Sequence, residues 1–452
     1  MIIIKILLGL IGIGVVIFVH ELGHFLAARL VGIDVEAFSL GWGKAILKKK
    51  IGSVEYRIGL FPLGGYCKMS GENEFQQAYE NKRDSVEPVK GTFFSVSPVR
   101  RIIVSFAGPF FNLIFAVIAL SLVWGAGITV NTVENKIVLA SSIDPDAQYP
   151  ADSAQLLTGD RIVEIAGKPI ATYLDIQETI VLNPEKELPL KVERNGEIHS
   201  LKVKPELDKS TGSGKIGVYY WAEPVVSEVV PESPAALAGL EPEDRILKIN
   251  GQDFPYTVAL IPIMRERPPV LSVEFERNGQ TQTTDIVPWY SDSGDATIGL
   301  GYKTLHYRTP SLNPIQALRT GASKAWETFA VSVKSLSLLF RGIDLTQAIS
   351  GPMRITMMVG EIATESFGQS IGTGFSTLAN FLSLISISLC IMNLLPLPIL
   401  DGGMIVLFLI EAIQRKPLHP RFIITFQIVG VVLIFGFMAF AFFGDILYFV
   451  RS

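Results

Sequence analysis

Charge is in short supply in this sequence: 18% of its 452 residues are Asp, Glu, Lys or Arg, while 49% are hydrophobic. Soluble globular chains carry about 25% charge, and a mean hydropathy of +0.39 points the same way. This composition excludes a disordered chain, a fibrous chain and an ordinary cytosolic enzyme. Cysteine is nearly absent. Cys67 and Cys390 stand in unlike surroundings, so no disulfide framework is implied. Histidine is scarce too, with five residues, which gives weight to any two that fall at a meaningful spacing. Basic charge lacks the concentration that nucleic acid demands. Residues 127–308 hold 17 Lys and Arg against 27 Asp and Glu, a net of −10, and the remainder holds 22 against 16, a net of +6. An acidic middle is set in a basic, apolar frame, and nucleic acid is not an expected partner.

Three charge-free runs, 102–133, 366–400 and 422–444, are long enough for a bilayer core, which needs about 20 apolar residues. A fourth apolar stretch opens the chain at 6–19 and resumes from Leu22 to Val31, interrupted by His20 and Glu21. Those polar residues, with His24, fit a signal peptide poorly, and no small-x-small cleavage site follows. Four spans are expected. Residues 29–101 carry 12 Lys and Arg against 8 Asp and Glu, and the loop 411–421 carries Arg415, Lys416 and Arg421 against Glu411. Both are therefore expected in the cytoplasm, with the two termini and the acidic middle on the far side.

The middle repeats itself. Asp160-Arg161-Ile162-Val163-Glu164-Ile165-Ala166-Gly167 matches Asp244-Arg245-Ile246-Leu247-Lys248-Ile249-Asn250-Gly251, 84 residues on. Glu193-Arg194-Asn195-Gly196 returns 83 residues later and Ile216-Gly217-Val218 82 residues later. A near-constant offset implies duplicated modules, and Asn-Gly between alternating apolar residues is a hairpin signal. The run Ser233-Pro234-Ala235-Ala236-Leu237-Ala238-Gly239-Leu240, followed by Asp244, Ile246 and Ile249-Asn250-Gly251, resembles the PDZ domain of bacterial envelope proteases. The first copy looks degraded, with Leu156 standing where the glycine of the turn belongs. Such modules bind extended peptides along a sheet edge; a rigid spacer is the alternative. The expected divisions are 1–126, 127–221, 222–308 and 309–452.

Two of the five histidines form His20-Glu21-Leu22-Gly23-His24. On a helix, positions i and i+4 share a face, so both imidazoles can reach one Zn²⁺, with Glu21 beside it to take a proton from water. An ionisable group inside a span is costly and marks a functional site. A catalytic zinc needs a third protein ligand. Asp401 is the candidate, in Asn393-Leu394-Leu395-Pro396-Leu397-Pro398-Ile399-Leu400-Asp401-Gly402-Gly403, where it is expected to close the third span at its cytoplasmic end. Pro396 and Pro398 break the helix, and Gly402-Gly403 permits close backbone approach.

A first-span H-E-x-x-H, an Asn-x-x-Pro-x-Pro-x-x-Asp-Gly box in the third span, and PDZ modules between spans two and three together resemble the site-2 proteases. The resemblance covers nearly the whole chain. It implies a polytopic α-helical membrane protein: four transmembrane helices, a re-entrant β element and two tandem PDZ-like domains. It implies one Zn²⁺ per chain on His20, His24 and Asp401, with Glu21 as catalytic acid and base and Asn393 positioning the substrate. Val54 to Tyr66 alternates like a strand and turns at its glycines. This segment matches the family's re-entrant β element, which would make Gly59, Gly64 and Gly65 substrate-positioning; an ordinary cytoplasmic hairpin is the alternative. The family cleaves single-pass membrane proteins of the anti-sigma factor type after another protease has trimmed them, and it clears remnant signal peptides. The implied location is the bacterial inner membrane, with the lipid bilayer as partner, the PDZ tandem periplasmic and the active site towards the cytoplasm.

Phe106-Ala107-Gly108-Pro109 with Asn112, and Ser350-Gly351-Pro352 before the amphipathic stretch 353–365, read equally as substrate-gate elements and as packing glycines. Two other classes compete. A metal-binding scaffold that recruits partners through its PDZ tandem would leave Glu21 dispensable. A metal-ion transporter would need more polar positions along its spans than Asn112 and Gln427 supply in spans two and four.

Overall fold

The computed structural model describes residues 2–127, 129–145, 147–209, 212–290, 296–309, 311–338 and 351–451. Ser350 of the second candidate gate lies outside them. The chain divides into two compact units, Met1–Ile128 with Thr309–Ser452, and Thr129–Arg308.

The first unit is helical. Helix α1 runs over Ile2–Val31, and His20 and Glu21 leave it unbroken. A long hairpin follows, β1 at Val35–Ile51 and β2 at Val54–Met69, then α2 at Glu72–Glu80. Helix α3, Pro98–Ala126, starts before the charge-free run and takes Arg100 and Arg101 into its first turn. Proline suits its first position, where no intrahelical N–H is needed. It stops at Gly127, φ +77°, before the charge-free run has ended. After the second unit come α4 at Pro314–Leu338, α5 at Pro352–Gln369 and α6 at Ile371–Leu394. The bundle closes with α7 at Asp401–Gln414 and α8 at Pro420–Arg451. Among the described residues, α1, α3, α6 and α8 are long and apolar enough to cross a membrane. Helix α3 packs against α1, α4, α6 and α7. One expectation is corrected here. Asp401 does not close the third span: α6 ends at Leu394, Pro396 and Pro398 deny it a continuing hydrogen-bond ladder, and Asp401 opens α7 instead.

The hairpin is doubled on itself. Phe38 stands opposite both Cys67 and Tyr56, and Leu40 opposite both Gly65 and Ile58, while Leu47 to Ile51 pairs with Ile58 to Val54. The chain reverses between Ile58 and Gly65 to allow this. Phe38, Val35 and Val54 bury their side chains with Phe25 and Ala28 of α1 and Val104 of α3.

Helix α7 is braced against α3 by a buried ion pair. Arg101, 4% exposed, donates from Nη2 and Nη1 to the two Glu411 carboxylate oxygens at 2.6 and 3.1 Å. Its guanidinium lies 4.8 Å from the Phe408 ring centroid. Removing one partner of such a pair strands a charge, at a cost of about 3–5 kcal/mol, whereas replacing both with apolar groups is often neutral. Arg101→Met should therefore lower unfolding stability in detergent sharply, and adding Glu411→Leu should restore most of it. An equal loss in single and double variants would deny the pair its bracing role.

The second unit holds two β-modules with one strand order. In the first, Lys168–Pro169, Arg161–Ile165, Leu188–Arg194 and Glu197–Val203 form a four-stranded sheet; in the second, Gln252–Asp253, Arg245–Ile249, Leu271–Arg277 and Gln280–Ile286 do. Asn195-Gly196 and Asn278-Gly279 have positive φ at both positions, which matches the twist of a tight hairpin. Each module has its own apolar core. The repeated motifs clasp one another. Asp160 accepts from Arg194 Nε and Nη2 at 2.8 Å each, and Asp244 accepts from Arg277 at 2.7 Å each. Arg194 also donates to the Gln155 carbonyl, as Arg277 does to that of Gly239. This corrects the alignment of the first copy. Gln155, φ +60°, occupies the place of Gly239, φ +79°, while buried Leu156 takes that of Leu240. The unit's first and last strands, Thr129–Thr132 and Leu305–Arg308, pair with each other, Thr129 opposite Arg308.

Candidate metal centre

His20 and His24 lie one turn apart on α1, their rings 4.8 Å centroid to centroid. The Nε2 atoms are 3.2 Å apart. Asp401 reaches them from the start of α7, Oδ2 at 3.3 Å from His20 Nε2 and Oδ1 at 3.4 Å from His24 Nε2. These three residues are the potential metal-holding group found among the described residues. Zn²⁺ takes nitrogen and oxygen ligands at about 2.0–2.2 Å in a tetrahedron, whose edges are then about 3.3–3.5 Å. The Nε2–Nε2 separation is close to one such edge, each histidine has an Asp401 carboxylate oxygen at a similar distance, and one ligand atom from each residue lies within 4.8 Å of the others, so the donor set suits zinc in its chemistry.

Asp401 is delivered by a strained loop. Ile399 has φ +72°, costly for a β-branched residue and of the kind that clusters at functional sites. A Cβ on Gly402 would collide with the carbonyl oxygens of Leu394 and Leu395, so α7 can start this close to the end of α6 only with glycine there. Asn393 is half-buried in the last turn of α6, ahead of the proline-broken loop that leads to Asp401.

Glu21 points into a cavity of about 640 Å³ that His24 and Asp401 also line, and that runs to Phe75 and Tyr79 of α2. Cys67 of β2 lines the same cavity. Of the three hairpin glycines, Gly65 is the one at the site: a Cβ there would stand 2.9 Å from Glu21 Cγ. Gly59 and Gly64 close around Trp42 instead.

Helix α3 completes the surroundings, and here the sequence reading is incomplete. His24 Nδ1 lies 2.8 Å from the Val104 carbonyl oxygen. One turn on, a Cβ on Gly108 would collide with His24 Nε2. The Phe106-to-Pro109 glycine is thus a packing glycine, packed against the metal-site histidines. One turn further, the Asn112 amide meets His20 Nδ1 at 3.3 Å. A spacing of four along an apolar helix was the available signal for 104, 108 and 112, but a carbonyl and a missing side chain leave little trace in sequence.

Comparison with known proteins matches the model of peptidase family M50 over residues 8–437. The chain belongs to peptidase family M50. It is accordingly a membrane metalloprotease of the site-2 type. A relative in Treponema pallidum, named "Putative zinc metalloprotease", is 36% identical over 98% of this chain and 99% of its own length. The regulator of sigma E protease of Haemophilus influenzae is 31% identical, with 97% of each chain covered. The regulator of sigma-E protease RseP of Escherichia coli is 30% identical over 96% of this chain and 97% of its own.

Proposed function

We propose that this M50 chain is a zinc-dependent endopeptidase that cuts within the transmembrane segments of single-pass membrane proteins. The observation that carries this reading is the triad of His20, His24 and Asp401, whose ligand atoms lie within 4.8 Å of one another, with Glu21 beside it. A zinc ion in such a triad supplies a Lewis acid for the scissile carbonyl and lowers the pKa of water towards about 7. Glu21 takes the proton of the attacking water and passes it to the leaving amine. Gly65 lets β2 approach the Glu21 side chain closely. The doubled hairpin is the re-entrant element, entering the membrane beside the site to hold an unwound substrate, with Gly59 and Gly64 shaping it and Asn393 orienting the scissile peptide.

By the charge bias of its loops, the chain sits in the inner membrane with the triad towards the cytoplasm and the second unit in the periplasm. The two modules of that unit are PDZ-like domains in tandem, each keeping the Asp–Arg clasp. We assign them the exclusion of substrates that still carry a bulky outer domain. The names of the Haemophilus and Escherichia relatives point to sigma-E regulation, so a trimmed anti-sigma factor is the first substrate to test, and remnant signal peptides the second.

The purified chain should contain one zinc and cleave a model transmembrane peptide. Asp401→Asn should lose both most of its zinc and its cleavage, because an amide is a poor zinc ligand beside a carboxylate. A metal assay that finds zinc retained at full stoichiometry in Asp401→Asn moves the third ligand elsewhere.

A further inference from the structure

Metal ligation through Nε2 fixes the rest of each imidazole. The ring must be neutral, its Nε2 lone pair free, and its proton on Nδ1. Each Nδ1–H then needs an acceptor behind it. His24 has one, the Val104 carbonyl oxygen at 2.8 Å. His20 has the side-chain amide of Asn112, which is fully buried.

That amide turns its Nδ2 to His20 Nδ1, so a His20 proton on Nδ1 would meet a second donor. The same arrangement leaves Asn112 Oδ1 buried without a hydrogen-bond partner. Amide oxygen and nitrogen are distinguished by their surroundings and not by shape, so the two orientations are alternatives for one side chain. Turning the amide exchanges an orphaned oxygen for an orphaned N–H, which is no gain in itself. What decides between them is the proton that a metal-binding His20 carries on Nδ1. It requires the oxygen to face it.

The backbone around Asn112 is held for this purpose. Ser386 of α6 donates from Oγ to the Asn112 carbonyl oxygen at 2.8 Å, and both residues are fully buried. Val104, Gly108 and Asn112 repeat every four residues, so one face of α3 meets both histidines. The carbonyl of Val104 serves one ring, the absent side chain of Gly108 leaves room for both, and Asn112 serves the other.

We propose that Asn112 is a positioning residue of the metal centre, its side-chain oxygen accepting from His20 Nδ1–H and so presenting Nε2 to the ion. This rests on the triad reading of the preceding section. Groups that hold a metal-binding histidine from behind typically change metal affinity by about 10–100-fold when removed.

The test is zinc affinity, measured by chelator competition on the full-length chain in detergent and expressed per folded molecule. Asn112→Leu keeps the size and removes the acceptor; it should weaken zinc binding by about 10–100-fold. Asn112→Asp keeps an acceptor oxygen in the same place and should bind zinc within a few-fold of the unaltered chain. Should Asn112→Leu fold poorly, Asn112→Ala removes the same acceptor with less intrusion and is expected to show the same loss. Unchanged affinity in the Leu and Ala variants would overturn the proposal. So would an equal loss in Asp and Leu at equal melting temperature of the metal-free chain, since packing and not the acceptor would then be responsible. If the unaltered chain itself binds no zinc, the triad reading fails, and that result is distinct from either.

Discussion

Glu21→Gln is expected to stop cleavage of a transmembrane peptide while zinc stays bound. Loss of a general base typically costs about 10²–10⁴-fold in rate. Glutamine keeps the length and shape of the side chain, so the hairpin and α1 should keep their places. It cannot take up the proton of the attacking water. Glu21 lies outside the group His20, His24 and Asp401 whose ligand atoms converge, so metal content should remain near that of the unaltered chain. Cleavage at full rate would favour a scaffold that binds metal without hydrolysis. Stoichiometric loss of zinc would make Glu21 a ligand and reassign the site.

Removing Thr129–Arg308 and joining its flanks with a short flexible linker should relax substrate choice without ending proteolysis. Every group placed at the metal centre lies in the other unit. The join is short because Thr129 and Arg308 are partners across two paired strands, whose Cα atoms stand about 4.5–5.5 Å apart. A trimmed substrate should still be cut, and an untrimmed one, normally resisted, should now be cut at a comparable rate. Continued resistance of the untrimmed substrate would locate discrimination in the helical unit. If zinc is retained but neither substrate is cut, the tandem is needed for docking, and the exclusion account must be dropped.

Much of this was legible in the sequence because the signals are local. His20, Glu21 and His24 are a pattern of five residues on one helix. Asp401 was found through the proline-broken box before it, although the box hid the fact that Asp401 starts a helix. The duplicated modules were found from spacing, and the two repeated motifs prove to be the two halves of one clasp, Asp160 with Arg194 and Asp244 with Arg277. The glycine of the first copy was misplaced by one residue. The constant offset of 84 leads to Gln155, which has the positive φ of the glycine it replaces.

Long-range partners were not legible. By sequence Arg101 and Glu411 read as charges of two separate loops, whereas they form one buried pair. Nothing local announces that, since their separation of 310 residues is closed only by packing. Val104 acts through its carbonyl, which every residue has. Gly108 acts by lacking a side chain, and on sequence alone it looked the same as any helix glycine.

The common partner in these cases is α3. It touches His24 through Val104, His20 through Asn112 and α7 through Arg101. The helices that carry the three candidate ligands are thus each referenced to a third that carries none. An arrangement of this sort works as a jig. A displacement of α3 would bear on α1 and α7 at once, because each is held to it by its own contact. A turn of α3 by a single residue, about 100°, would release all three references together.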